Sequence, residues 1–148
     1  MAAGVLFTDD AGRVLIVEPV YKDRWEIPGG TVEAGESPLA AAHREVGEEL
    51  GLSRWPGALL VVDWVSPTPG RTEGLMLVFD GGRLSPAEAA GLTLPADELR
   101  GYAFCTAREA ARLLPPLLAR RVGAALVARA TGSVAYLEDG RPVGPGRS

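Results

Sequence analysis

Short apolar runs alternate with turn-forming residues over the first part of the chain. Residues 3–8 and 13–18 are apolar and β-branched, and the Asp-Asp-Ala-Gly segment between them favours a turn, so the pattern predicts a β-hairpin. Residues 25–27 predict another short strand, which ends at Pro28 because proline cannot donate a hydrogen bond to a sheet. A sheet is therefore expected to begin almost at the first residue.

The clearest helical pattern covers residues 37–51. Ser37 and Pro38 supply an N-cap and a first-turn proline, and Gly51 supplies the glycine at which helices commonly end. The apolar positions of this segment recur at helical spacing at Leu39, Ala42, Val46 and Leu50. This spacing predicts an amphipathic helix that packs one side against a core.

The rest of the chain alternates between strand and helix patterns without a linker. The predicted strands cover residues 59–65, 75–79 and 98–104. The predicted helices cover residues 106–114, with Thr106 and Glu109 as a capping box, and residues 116–130, and a helical turn is expected at residues 86–91. These patterns predict one α/β domain over residues 1–138, followed by a Gly- and Pro-rich flexible tail over residues 139–148.

Composition narrows the chemistry. Of 148 residues, 19 are acidic and 15 basic, and the net charge of −4 argues against a surface that binds polyanions by bulk electrostatics. His43 and Cys105 are the only residues of their kinds, which excludes a disulfide framework and a Cys/His zinc cluster. With one histidine and one cysteine, acid–base or metal chemistry must depend mainly on carboxylates.

No segment resembles a secretory leader or a membrane span, so we expect a soluble cytoplasmic protein.

Carboxylates are concentrated in one segment. Five of the twelve glutamates lie between Glu33 and Glu49, and the last three, Glu45, Glu48 and Glu49, share one edge of the predicted helix. Like charges at this spacing destabilise a helix by about 0.2–0.5 kcal/mol per pair, and a bound divalent cation would remove that cost. Carboxylate oxygens favour Mg²⁺ or Mn²⁺ over zinc. A solvated acidic face is the alternative interpretation.

The spacing of these residues resembles a known motif. Gly30, then five residues, Glu36, then seven residues, and the run Arg-Glu-Val-Gly-Glu-Glu-Leu-Gly-Leu over 44–52 match the Nudix box at every defined position. The chain thus resembles the Nudix (MutT-like) hydrolases. The resemblance implies an α/β/α sandwich with a central mixed β-sheet. It also implies Mg²⁺-dependent hydrolysis, with Mn²⁺ as a substitute, of the pyrophosphate in a nucleoside diphosphate linked to another moiety.

The resemblance also implies roles for individual residues. Metal ligands are expected at Glu45, Glu48 and Glu49, with the backbone carbonyl of Gly29 as a further ligand. Glu36 is expected to act from the outer shell, and Arg44 to orient the catalytic glutamates. The general base has two candidates, Glu45 and Glu98. Glu98 lies at the start of a predicted strand.

The substrate is less constrained. Trp25, Gly30, Arg24 and Arg71 are the expected substrate contacts, with packing against the sheet as the alternative for Trp25 and a solvated surface position as the alternative for the arginines. A nucleoside triphosphate is one candidate. An ADP-ribose-like molecule is the other, because Pro67 lies 15 residues beyond Leu52, which resembles the proline placement of ADP-ribose hydrolases.

The sequence also leads to expectations about the partners of the protein and to an alternative function. A small-molecule nucleotide is expected rather than a nucleic acid polymer or a membrane. Family members are often dimers, so a homodimer and a monomer both stay open. The rival function is a Nudix-fold sensor that binds a nucleotide without turnover. The complete set of box carboxylates favours an enzyme.

Overall fold

The computed structural model describes residues 1–144. Within this range eight strands form one sheet: β1 (Ala2–Thr8), β2 (Val14–Pro19), β3 (Gly29–Thr31), β4 (Leu59–Val65), β5 (Gly74–Arg83), β6 (Leu99–Cys105), β7 (Ala135–Glu138) and β8 (Arg141–Pro142). The helices of the same range are α1 (Pro38–Leu50), α2 (Pro86–Ala90), α3 (Ala107–Leu113) and α4 (Pro116–Thr131). None of these helices has the length and apolar character needed to cross a bilayer.

The sheet is mixed. Its strands follow the order β6-β2-β1-β5-β4-β7-β8, and the pairs β1–β5 and β4–β7 are parallel. Strand β3 lies off this path and pairs with the first residues of β1, while β2 pairs with β1 only near Thr8. The short strand β3 thereby brings the two glycines of the Pro-Gly-Gly turn beside the start of β1.

Two apolar cores lie on opposite faces of the sheet. Strand β2 contributes to both, because Leu15 and Val17 pack on the side of α1 while Val14 and Ile16 pack on the side of α3 and α4. All four side chains are buried, which explains why the strand reads as a continuous apolar run instead of an alternation. The predicted layers, helices on both sides of a central mixed sheet, are confirmed.

Helix α1 forms for the reasons its sequence suggests. The Ser37 hydroxyl accepts a hydrogen bond from the amide of Ala40, and Gly51 ends the helix with φ +70°. Its buried apolar side chains are Ala41, Ala42, Val46 and Leu50. The capping box at Thr106 and Glu109 is also present at the start of α3, as predicted.

The prediction of a strand over residues 25–27 is wrong. In this segment only Glu26 forms a bridge, to Val17, and the strand that joins the sheet is β3, which begins at Gly29. Gly29 makes this possible: it has φ +147°, and an added Cβ would lie 2.3 Å from the carbonyl oxygen of Ala3. Only glycine allows the chain to approach β1 so closely.

The C-terminal part of the structure differs from the flexible tail expected after residue 138. Strands β7 and β8 form a hairpin whose turn contains Asp139, at φ +51°, and Gly140. The Asp139 carboxylate accepts hydrogen bonds from the amide (2.9 Å) and hydroxyl (2.8 Å) of Ser66, so the start of this segment is bound to the β4–β5 connection. Residues 145–148 of the predicted tail lie outside the described residues.

Candidate active site

The Pro-Gly-Gly turn lies against the glutamates of α1. The Gly29 amide donates a hydrogen bond to Glu49 Oε1 at 3.3 Å. At Gly30, an added Cβ would lie 2.5 Å from Glu45 Oε1, so a side chain at this position would displace the Glu45 carboxylate. The two glycines therefore let the backbone contact the two carboxylates directly.

Arg44 connects the acidic side chains at the edge of α1. Its Nε and Nη2 atoms donate to the two oxygens of Glu36 at 2.7 and 2.9 Å, a bidentate pair. Its Nη1 donates to Glu45 Oε1 at 3.0 Å and lies 3.5 Å from Glu48. The Arg44 hydrogen bonds, together with the amide of Glu33, lower the pKa of Glu36 to about 2, and Glu36 in turn raises the pKa of Arg44.

An acidic cavity of about 380 Å³ opens beside this edge. Of the described residues, five carboxylates line it: Glu26, Glu45, Glu48, Glu49 and Glu98. Glu49 is 8% exposed, and burial together with the neighbouring Glu45 carboxylate raises its pKa well above the usual range, although the Gly29 amide acts in the opposite direction. A buried carboxylate among other carboxylates is electrostatically unfavourable without a compensating cation.

The donor set of the acidic cavity fits a hard divalent cation. Carboxylate oxygens are the ligands of Mg²⁺ and Mn²⁺, and the negative charge around Glu49 is the charge that such an ion would offset. Within residues 1–144, however, no three His, Cys, Asp or Glu side chains converge tightly enough to hold a metal ion. Arg44 contacts Glu45 and lies near Glu48, so a cation would require these two side chains to turn toward Glu49.

A basic cavity of about 490 Å³ adjoins the acidic one. Four cationic side chains of the described residues line it: Lys22, Arg24, Arg71 and Arg121. Glu26 lines both cavities and pairs with two of these cations, Lys22 at 2.8 Å and Arg24 at 3.7 Å. The remaining wall is largely apolar, with Ile27, Met76, Val78 and Leu118. Opposite charges thus meet at Glu26.

Comparison with known proteins places this arrangement in a family. The sequence model of the NUDIX domain matches residues 1–126. The chain belongs to the NUDIX family. Two solved structures share the fold: a MutT protein from Methanosarcina mazei Go1 (TM-score 0.67, 22% identity, 86% of this chain and 89% of that one) and a UDP-X diphosphatase (TM-score 0.71, 19% identity, 93% and 66%).

A curated relative matches a shorter segment. An RNA pyrophosphohydrolase from Halorhodospira halophila is 47% identical over 49 residues, which are 33% of this chain. The matched segment spans 27% of that relative's length. The predicted family and fold class are confirmed.

The structure brings most of the predicted Nudix site residues together. Glu45, Glu48, Glu49 and Glu98 line the acidic cavity, and Gly29, Gly30, Arg24 and Arg71 line the basic cavity. Glu36 lies behind them on Arg44. Trp25 lines neither described cavity; it packs against the core on the α4 side of the sheet, which was the alternative interpretation for this residue.

Sequence reasoning did not select three of the residues in these Nudix cavities: Glu26, which lines both, and Lys22 and Arg121, which line the basic one. Tyr21 also lines the acidic cavity. Burial, followed by the nearby Glu26, raises the pKa of Tyr21, so its phenol stays protonated. Glu26 could have been selected as a carboxylate close before the Pro-Gly-Gly turn. Arg121 had no such signal, since its partner, Asp63, is 58 residues away in the chain.

The lone histidine and cysteine lie outside both cavities. His43 stacks on Trp55, with ring centroids 3.8 Å apart and planes 2° from parallel, and Cys105 is buried in the core. Both residues therefore have packing roles in the described part of the chain.

Proposed function

We propose that this chain is a divalent-cation-dependent Nudix pyrophosphohydrolase, with Mg²⁺ as its ion, that cleaves the pyrophosphate of a nucleoside diphosphate linked to another moiety. The observation that carries the proposal is the pairing of two cavities of opposite charge at Glu26. A carboxylate cavity suits cations that accompany a pyrophosphate, and a cationic, partly apolar cavity suits the nucleotide.

The cation would be bound by carboxylates of the acidic cavity. Glu45, Glu48 and Glu49 would hold it, with the carbonyl of Gly29 as a further ligand and Mn²⁺ as a substitute ion. When bound, the cation would neutralise charge on the phosphate oxygens and on the leaving group. The pair of Arg44 and Glu36 restrains Glu45, since Arg44 holds both carboxylates at hydrogen-bond distance.

We assign the general base to Glu98. Glu45, the other candidate, already accepts a hydrogen bond from Arg44 at 3.0 Å and lies close enough to Glu49 to raise the pKa of that carboxyl. Glu98 lines the same cavity, and its carboxylate makes no hydrogen bond or ion pair with the described residues. A free carboxylate at the cavity wall can accept the proton of the water that attacks phosphorus.

The basic cavity supports the nucleotide side of the substrate. Lys22 and Arg24, next to Glu26, would contact the phosphates nearest the acidic cavity. The apolar wall suits a nucleobase. The chain has no Asn or Gln, so base edges would be recognised by backbone groups, hydroxyls, acids or arginine. The relatives named above include an RNA pyrophosphohydrolase and a UDP-X diphosphatase, so the substrates to be tested include a 5′-triphosphorylated oligonucleotide and nucleotide sugars.

A substrate screen tests this proposal. The purified chain is incubated with nucleoside triphosphates, oxidised nucleotides, ADP-ribose, dinucleoside polyphosphates, nucleotide sugars and a 5′-triphosphorylated oligonucleotide, with Mg²⁺ or with a chelator. We expect at least one class to be hydrolysed at its pyrophosphate with Mg²⁺ only. Tight nucleotide binding without hydrolysis of any class would contradict the proposal and support the sensor function.

A further inference from the structure

We infer that the basic cavity is a subsite for a second anionic group, a phosphate on the nucleoside beyond the scissile pyrophosphate, and that Arg71 and Arg121 bind it. The inference rests on the proposed function, because it takes the pyrophosphate to lie at the acidic cavity. Its ligand would be a nucleotide whose sugar carries a phosphate in addition to the 5′ chain.

The four cations of the basic cavity fall into two pairs. Lys22 and Arg24 both reach Glu26, the residue shared with the acidic cavity, so they lie at the pyrophosphate end. Arg71 lies on the β4–β5 connection, and Arg121 lies on α4, which packs against the face of the sheet opposite α1. This second pair is therefore placed for a different part of the substrate.

Arg121 is held in place at an energetic cost. Its Nε donates to Asp63 Oδ2 at 2.7 Å; the Asp63 side chain is 0% exposed and that of Arg121 12%. Asp63 also accepts a hydrogen bond from the Gly140 amide at 3.0 Å. Burying such a pair is often no better for stability than apolar packing, so stability alone does not account for it. Among residues 1–144 the two terminal nitrogens of Arg121 have no hydrogen-bond partner, and the residue lines the cavity.

Arg71 is the cation of this cavity that forms no ion pair with any described residue. Its Nη2 donates to the Ser66 carbonyl at 3.2 Å. Ser66 in turn is fixed by Asp139, through the two hydrogen bonds at the hairpin turn. Arg71 thus lies on an anchored loop without a direct ion pair, although the Asp139 carboxylate is near enough to feel its charge, and it lines the same cavity as Arg121, so both offer guanidinium donors there.

The chemistry of this cavity favours a phosphate. Arginine donors match the geometry of phosphate oxygens, and charge-assisted hydrogen bonds are stronger than those to a neutral sugar hydroxyl. Apolar side chains, among them Ile27 and Leu118, continue the cavity and suit the ring that carries the phosphate. A terminal sugar phosphate and the first phosphodiester of an oligonucleotide present the same oxygens.

Calorimetric titration of reaction products tests the subsite without turnover. With Mg²⁺ present, the chain is titrated with AMP, adenosine 3′,5′-bisphosphate and a 5′-phosphorylated adenosine dinucleotide. We expect the bisphosphate, the dinucleotide or both to bind about tenfold more tightly than AMP, the value of one charge-assisted hydrogen bond. A gain with the bisphosphate alone identifies a terminal phosphate as the ligand, and a gain with the dinucleotide alone identifies a phosphodiester.

Two variants and a control make the titration specific. Arg71→Ala removes an exposed side chain and should abolish the gain, and Arg121→Lys, which keeps a charge for Asp63, should reduce it. Arg108→Ala, an exposed arginine of α3 outside the cavity, should retain it. Equal affinity for all three ligands, or a gain that survives Arg71→Ala, would overturn the inference.

The outcomes also separate this inference from the function on which it rests. Hydrolysis in the substrate screen without any gain in the titration would overturn the subsite alone. A gain that Arg71→Ala abolishes, in a chain that hydrolyses nothing, would overturn the pyrophosphohydrolase and leave the anion subsite supported.

Discussion

The two cavities that meet at Glu26 differ in how their lining side chains are fixed in position. In the acidic cavity, carboxylates of one helix are restrained by Arg44 of the same helix and by the Gly29 amide. In the basic cavity, the described cations come from three separate segments, and Arg121 is held by Asp63, a fully buried residue of β4. The acidic side carries unfavourable charge that a cation would offset, whereas part of the basic side is built into the core. Changes on the acidic side should therefore affect activity, and changes on the basic side should also affect stability.

The strongest test of this difference is Glu49→Gln. We expect Mg²⁺-dependent turnover to fall by about 1000-fold or more, because the variant loses the buried carboxylate that we propose as a ligand to the cation. The fold should persist, since the folded protein without a cation already favours the uncharged acid at this position, and the amide oxygen can still accept from Gly29. Steady-state kinetics and thermal unfolding with and without Mg²⁺ measure both effects.

The control for this variant is Glu73→Gln, an exposed glutamate outside both cavities. It should keep wild-type turnover and the rise in melting temperature that Mg²⁺ gives by binding the folded state. Wild-type turnover in Glu49→Gln would remove Glu49 from the metal ligands.

Glu98→Gln separates the proposed general base from the proposed metal ligands within the acidic cavity. We expect kcat to fall by about 100-fold, within the range for loss of a general base, with Mg²⁺ affinity unchanged. Asp97→Asn, the exposed neighbour outside both described cavities, should behave as the wild type. If Glu98→Gln retains kcat and Glu45→Gln lowers it without weakening Mg²⁺ binding, the base is Glu45 instead.

Asp63→Asn tests the basic side, where we expect the effect in stability. The change leaves Arg121 largely buried without its counter-charge, which should lower the free energy of unfolding by about 3 kcal/mol and the melting temperature by roughly 6–12 °C. Urea unfolding measures this loss. Adding Arg121→Met should recover most of the stability, because the unpaired charge is then gone. An Asp63→Asn protein as stable as the wild type would contradict the buried pair.

The same contrast explains what the sequence could predict. The acidic cavity depends on spacing within residues 29–49, where helical periodicity alone places Glu45, Glu48 and Glu49 on one edge. The basic cavity depends on contacts between distant segments, such as Arg121 with Asp63, that no local pattern encodes. Strand β3 was missed because a Gly-Gly pair has low strand propensity and is selected here by its close approach to β1. Strands β7 and β8 had a local signal, the Asp-Gly turn at residues 139–140, which Gly and Pro composition obscured.

The smallest expected effect is a pH dependence at the edge of the acidic cavity. Arg44 lowers the pKa of Glu36 in the folded chain to about 2, below the ordinary value of about 4.3. The stabilisation that Glu36 gives is therefore complete above about pH 5 and is lost as the pH falls toward about 2. Urea unfolding should show Glu36→Gln less stable than the wild type near pH 7, with the difference shrinking by about pH 3. Glu33→Gln is the matched control: its carboxylate lies 3.8 Å from Arg44 and is 69% exposed, so it should change stability little at either pH. A difference between Glu36→Gln and the wild type that is the same at both pH values would show that Glu36 contributes through packing and not through its charge on Arg44.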